Sequence, residues 1–389
     1  MNRIYADHAA TTRPAPEVVA AMLPWLGDGF GNASSVHARG EAARDAIEAA
    51  RLEVARLVGG QSEEIVFTAT GSESNNLALQ GVLGAATSRR RIVTTAIEHS
   101  SVLGTARALA AAGCALTILP VRPNGVVDLD ELADALGDDV ALVSVMAVNN
   151  ETGVRQPLDE IGPLVKQCGA LFHVDAVQAP GKIAISVDGW QADLLSLAAH
   201  KFHGPQGAAA LFVRRRTRLE PLLHGGQHER GRRAGSENLA ALAGMGVAAT
   251  RARAALVNGV PQRIALLGEQ LIARLLAGVP HSSLNGDLNR RVGGIVNVCF
   301  AGVDGEAVLH ELDRAGIEVS TGSACSSAEA GPSHVLVAMG LGPEDAHASV
   351  RFSLGEDNTE ADVARIGEIA PTIVERLRAL AGPRIERSA

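Results

Sequence analysis

At 389 residues the chain is too long for one ordinary core, so two domains are expected. Hydrophobic residues make up 47% and charged ones 20%, a soluble globular balance, and 3% aromatics leave the core to Ala, Leu and Val and argue against base-stacking platforms. With a net charge of -8 and "RRRTR" (Arg214 to Arg218) as its densest basic patch, the chain is not built to bind nucleic acid directly. The start, "MNRIYADHAATT", has no apolar targeting segment, and no apolar run is expected to span a membrane. Four scattered cysteines, Cys114, Cys168, Cys299 and Cys325, form no C-x-x-C pair and read as reduced thiols of a cytoplasmic protein.

From about Ile65 to Val213, seven β-rich runs ("EIVFTAT", "RIVTTAI", "ALTILPV", "VALVSVMAV", "ALFHVDA", "DLLSLAA", "AAALFVRR") alternate with helical stretches such as "SNNLALQGVLGAA". This pattern predicts an α/β fold with a mostly parallel sheet covered on both faces, whose ligands sit beyond the carboxyl ends of the strands. After about Pro261 a long amphipathic helix, "QRIALLGEQLIARLLAG", leads into "GGIVNVCF", "IEVSTGSAC" and "SVRFSLG". These three short strands predict a smaller α+β domain. The expected division is a large domain over 16–260 and a small one made of 1–15 and 261–389.

Several strand ends carry polar residues. "IVFTATGSESNN" places Gly71 and Ser72 at a helix start, an anion site in form but also ordinary capping. "LFHVDAVQ" ends on Asp175, with Gln178 three residues on; a carboxylate there is a helix cap or a partner for a buried cation. "TTAIEHSSV" presents His99, and "VNNETG" places Asn149 and Asn150 in a turn. "SLAAHKFHGPQG" brings Lys201 to the mouth of an apolar strand between His200 and His203. The i, i+3 spacing of those histidines, with Pro205 close behind, argues against a shared metal. A phosphate cradle, a buried carboxylate, a planar side chain able to stack and a lysine at one sheet edge together point to pyridoxal 5′-phosphate: Lys201 as the Schiff-base lysine and Asp175 opposite the ring nitrogen.

In the second half, "STGSACSSAEAGPSH" surrounds Cys325 with small residues, a loop that gives a thiol access and mobility. Arg351 alternates with Val350 and Phe352, so it is expected to point away from the face on which those two pack, as a surface residue or as a grip for a substrate carboxylate. A loop thiol beside such a cofactor suits attack on the sulfur of cysteine.

"YADHAATT", "GNASSVHARG", "GSESNN", "EHSSV", "VNNETG", "HVDAVQ", "AHKFHGPQG", "GGQHERGRRAGSEN", "STGSACSS" and "RFSLG" occur in the order seen in NifS/IscS-like cysteine desulfurases, which the chain resembles over nearly its whole length. The long Cys325 segment is similar to that of group I members. The resemblance implies a fold-type I pyridoxal-phosphate enzyme, with a seven-stranded large domain, that converts L-cysteine to L-alanine and leaves a persulfide on Cys325. It further implies that His99 stacks on the ring and assists proton transfer, and that Gln178 and Asn150 sit beside it. Gly71, Ser72 and His200 hold the phosphate, Ser236 reaches the phosphate of the neighbouring subunit in a homodimer, and Asn32 and Arg351 bind the substrate carboxylate. The implied partner is a sulfur acceptor, an iron–sulfur scaffold or a thiolation factor, with no membrane involved. The chain departs from the family at Ala198, where a phosphate-binding serine is common, at Ser236 for threonine and at Ala33 for proline. An aminotransferase or lyase on a small amino acid, including selenocysteine, is the alternative.

Overall fold

The structure, a computed structural model, describes residues 3–321 and 331–381. The chain runs β1 (Ile4–Tyr5), α1 (Pro16–Leu26), α2 (Ala38–Val58), β2 (Ile65–Thr68), α3 (Gly71–Ala85), β3 (Arg91–Thr95), α4 (Ser100–Ala111), β4 (Ala115–Leu119), α5 (Leu129–Ala135) and β5 (Val140–Met146). It continues through α6 (Leu158–Cys168), β6 (Leu171–Asp175), β7 (Leu194–Ala198), β8 (Ala209–Val213), α7 (Leu239–Val257), α8 (Val260–Gly278) and β9 (Ser282–Asn285). The last elements are β10 (Ile295–Phe300), α9 (Gly305–Arg314), β11 (Ile317–Glu318), α10 (His334–Ala338), α11 (Pro343–His347), β12 (Ser349–Ser353) and α12 (Glu360–Ala381).

All seven β-rich runs of the first half join one sheet, in the order β2-β8-β7-β6-β5-β3-β4. Only β8 runs antiparallel to its neighbours, β2 and β7. Strands β5 and β7 are buried along their whole length because helices cover both faces, which is why they read as unbroken apolar runs rather than as alternating ones. One face packs Ile47 and Val54 of α2, Ile161 and Val165 of α6 and Met245 of α7 against Phe172 and Phe212. The other packs Leu77 and Val82 of α3 and Val102 of α4 against Ile92 and Leu142.

The second half forms its own three-stranded antiparallel sheet, β12-β10-β9. Leu267 and Leu271 of α8, Val308 and Leu312 of α9 and Val363 and Ile366 of α12 bury Val296, Phe300 and Phe352 in a separate core. "IEVS" supplies only the short β11, which pairs in parallel with β1 at Ile4↔Ile317 instead of joining that sheet. The third strand is β9, "SSLN", in which no residue is β-branched or aromatic and only Leu284 is apolar, so it carries little strand signal of its own. Helix α7 is also long and apolar enough to span a bilayer, against the expectation that no run would be. It is a core helix, packed on α1 and α2, and a Cβ at Gly246 would lie 2.7 Å from the Ala50 Cα.

A buried ion pair ties α2 to the loop before α7. Arg51 donates to both Glu229 carboxylate oxygens (2.6 and 2.9 Å) and to the Ile65 carbonyl (2.9 Å), and Glu229 also accepts the Phe67 N–H (2.8 Å). Glu229→Ala leaves the buried guanidinium without its counter-charge, so urea unfolding should show a loss of roughly 3–5 kcal/mol. A loss below about 1 kcal/mol would mean that solvent reaches Arg51.

Candidate active site

Strands β6 and β7 are parallel neighbours, with Asp175 opposite Ser196. Asp175 ends β6, and β7 gives way after Ala198 to a single 3-10 turn, Ala199–Lys201, so the acid and the lysine emerge at the same edge of the sheet. The chain cannot run on as a helix past Lys201. His203 takes a positive φ of 63°, and a Cβ at Gly204 would lie 2.6 Å from the Ala199 Cβ. The Lys201 amine donates to the carbonyls of Ala9 (2.8 Å) and Ala10 (2.6 Å). The same N-terminal segment is strapped to this turn through Thr12, whose N–H donates to the His200 carbonyl (2.7 Å) and whose hydroxyl accepts the His203 N–H (2.7 Å).

Asp175 is buried and held by two donors, the Asn75 side-chain amide (2.8 Å) and the Val177 N–H (3.0 Å). Asn75 also donates to Ser101 Oγ (2.9 Å), and His99 Nδ1 accepts the Ser101 N–H (3.1 Å) as the N-cap of α4. A chain of side chains therefore links the carboxylate to His99. Sequence reasoning missed Asn75 and Ser101. The available signal was the position of Asn75 one helical turn beyond Gly71, on the same face.

Gly71 opens α3 behind its N-cap, Thr70. A Cβ at Gly71 would lie 3.0 Å from Val177 Cγ2 and 3.4 Å from the Ala198 Cβ, so this helix start faces the ends of β6 and β7. Ser72 follows in the first turn, where unsatisfied N–H groups attract an anion. His200 contacts Thr11 Oγ1 (3.2 Å), and burial, aided by the charges of Lys201 and Lys182, lowers its pKa to about 4, so the ring is neutral. Gln178 is buried, donates to the Ala9 carbonyl (2.8 Å) and leaves Oε1 without a partner; Asn75 Oδ1 is likewise orphaned. A helix start without a side chain at Gly71, orphaned amide oxygens, a buried carboxylate and an amine at one sheet edge fit pyridoxal phosphate.

Glu98, beside His99, is fully buried. Desolvation raises its pKa to about 8, while bonds from Thr95 (2.7 Å) and the Met146 N–H (3.0 Å) partly offset that rise, so it is mostly a neutral acid at pH 7. Of the two asparagines of "VNNETG", Asn149 makes the turn, accepting N–H bonds from Glu151 (2.9 Å) and Thr152 (3.0 Å). Asn150 contributes its carbonyl to Arg351 Nη1 (2.9 Å). Arg351 is buried rather than on the surface, with Nη2 on Asp7 Oδ1 at 2.8 Å and Nε unpartnered.

Cys325 lies outside the described residues, but both flanks of residues 322–330 are anchored at the site. On one side Ser320 exchanges backbone bonds with Arg351 (2.7 and 3.2 Å). On the other, Ser333 Oγ donates to Glu151 (2.5 Å) and His334 Nε2 bonds the Glu98 carbonyl (2.9 Å). Two candidates do not join this cluster. Asn32 is exposed and turns its side chain onto the Ser34 N–H (2.8 Å). Ser236 is exposed in the loop before α7, a loop tied to the first turn of α3 by Arg233 and Glu73 (2.9 Å).

Residues 4–366 match the model of the family described as aminotransferase class-V. A cysteine desulfurase of Trichormus azollae is 45% identical over 380 residues, covering 98% of this chain and 95% of the relative. The cysteine desulfurase NifS of Azotobacter vinelandii is 43% identical over 379 residues, covering 97% and 94%. A solved NifS-like protein superposes with a TM-score of 0.90 at 34% identity, covering 96% of this chain and 100% of that one. The chain belongs to the aminotransferase class-V family, among its cysteine desulfurases.

Proposed function

We propose that the chain transfers the sulfur of L-cysteine to Cys325, releasing L-alanine, with pyridoxal 5′-phosphate held by Lys201. The observation that carries this reading is the convergence of Lys201 and Asp175 on neighbouring strand ends with both anchors of residues 322–330 beside them. The bound cofactor supplies an electron sink that weakens the bonds at Cα and Cβ of an amino acid joined to it through its amine. Gly71 and Ser72 at the start of α3, with His200, hold its phosphate. Asp175, oriented by Asn75, would pair with the ring nitrogen, and Gln178 and Asn150 would lie beside the ring. His99 accepts the Ser101 N–H at Nδ1, which assigns the proton it exchanges to Nε2. Arg351 takes the substrate carboxylate, which there replaces Asp7; Asn32, exposed and turned onto the Ser34 N–H, is not in place to share it. The Cys325 thiolate attacks the substrate sulfur: the S–S bond forms, the Cβ–S bond breaks, and Cβ takes up a proton to become the methyl group of alanine.

The persulfide then passes to an acceptor protein, an iron–sulfur scaffold or a thiolation factor. The enzyme works as a cytoplasmic homodimer in which Ser236 reaches the neighbouring cofactor's phosphate. Its large domain is 16–260, and its small one combines 1–15 with 261–389, a division supported by the two separate cores.

Cys325→Ser should keep the cofactor's absorbance while alanine formation from cysteine falls by about a hundredfold or more. An aminotransferase or lyase that does not use the thiol would keep its turnover, and that result would remove the sulfur chemistry from this reading. Ala198→Ser restores a hydroxyl facing Gly71 and adds one hydrogen bond to a charged group, about 1.5–3 kcal/mol. Titration of the apoprotein should then give a cofactor Kd roughly tenfold to a hundredfold lower. An unchanged Kd would show that Ala198 does not border the phosphate.

A further inference from the structure

Behind the Lys201 turn lies a cavity of about 280 Å³ that shares Lys201 and the strap residues Ala9 and Thr12 with the candidate cofactor site. Gly71, His99, Asp175, Gln178 and Arg351 do not line it; the N-terminal strap and the Lys201 turn separate the two. Its walls join the seven-stranded sheet to the β9-β10-β12 unit, with apolar surface from Phe202, Ile264 and Ile295.

Five basic side chains, Arg155, Lys182, Lys201, Arg251 and Arg291, line this wall against one acid, Glu356, with His8 kept neutral by burial, which lowers its pKa to about 4. Lys182 donates to the Lys201 carbonyl (3.2 Å) and has no carboxylate partner among the described residues. Arg291 donates to the Ile295 carbonyl, while its Nε and Nη1 have no partner. His8, 4% exposed, has neither ring nitrogen bonded, and its ring centroid lies 6.2 Å from that of His203. Arg155 also lines the cavity, and the sole acid on the wall, Glu356, is engaged by Arg251. The chain has three lysines, Lys166, Lys182 and Lys201, and Lys166 is neutralised by Asp193 at 2.5 Å. Lys182 is thus an amine taken from water without a carboxylate partner among the described residues, and its charged form is disfavoured unless an anion completes it. Burial pushes Lys182 down to about 7 and Arg291 to about 10, the direction expected of cations whose counter-charge is missing.

We infer that this cavity is a binding site for a small oxyanion, with Lys182 and Arg291 as its charged contacts and the apolar wall taking a short hydrocarbon part of an organic acid. Such a ligand would touch the backbone that carries Lys201 without entering the cofactor site. The inference stands on the cavity alone and does not need the sulfur chemistry.

Calorimetry of the cofactor-loaded enzyme, whose helix-end phosphate site is then filled, tests it with succinate and with inorganic phosphate as separate probes. One saturable site per chain is expected for at least one of them. Tighter binding of succinate would assign the ligand to the organic acids, and tighter binding of phosphate to the phosphate-bearing ones. Lys182→Met and Arg291→Gln should each weaken binding by about tenfold or more. A measurement on the unmodified chain accompanies the variants: the binding anion should protect Lys182 from trinitrobenzenesulfonate, read by peptide mass spectrometry. No binding of either probe, affinity unchanged in both variants, or Lys182 labelled equally with and without the anion would each overturn the inference.

Discussion

The parallel pairing of β6 with β7 governs the rest of this site. Because Asp175 lies opposite Ser196, the strand ends differ by only a few residues, and the single turn Ala199–Lys201 lifts the amine over the edge from which the carboxylate emerges. Asp175 could not be moved by one residue along β6 without turning to the other face of the sheet. The start of α3 at Gly71 belongs to the same arrangement, since α3 packs against β7 and its first residue faces Ala198. Cofactor chemistry here therefore depends on backbone register before it depends on any one side chain.

The charges at the edge are managed by keeping nearby titratable groups neutral. His173 lies beneath the edge, bonded to Ser144 (2.8 Å) and Ser196 (2.9 Å), and burial lowers its pKa to about 4. His200 is neutral for a similar reason, and Glu98 is kept mainly protonated by the same desolvation acting on an acid. The Asp175 carboxylate is balanced by the donors Asn75 and Val177 rather than by a neighbouring cation, which leaves it available to a cationic ring nitrogen.

Much of this was legible in the amino-acid sequence, and the parts that were not share a cause. Strands β2, β3 and β5 to β8 read clearly because burial on both faces favours apolar runs, and Lys201 stood out because a lysine rarely ends such a run. β9 did not read at all, and the pairing of β11 with β1 could not be read because the two come from opposite ends of the chain. Asn75 and Ser101 look like ordinary polar residues at helix starts; only the packing of α3 on α4 shows that they link Asp175 to His99. The alternation around Arg351 correctly set it apart from Val350 and Phe352, yet could not show that Asp7 and Asn150 wait on its side of the strand. Local pattern revealed the elements, and long-range partners decided what their polar residues do.

The N-terminal strap makes these long-range partners interdependent. Asp7 pairs with Arg351, Ala9 receives donors from Gln178 and Lys201 and gives its own N–H to Ser353 (2.9 Å), and Thr12 clamps the Lys201 turn. One extended segment thus touches the substrate-carboxylate candidate, the cofactor candidate and both cores. A carboxylate at Arg351 would compete with the Asp7 contact, while the Ala9–Ser353 and Thr12–His200 bonds lie further along the segment. The strap can then yield at its first residue while its middle still positions the amine. That separation suits a site whose substrate must enter and leave repeatedly while its lysine stays in register with Asp175.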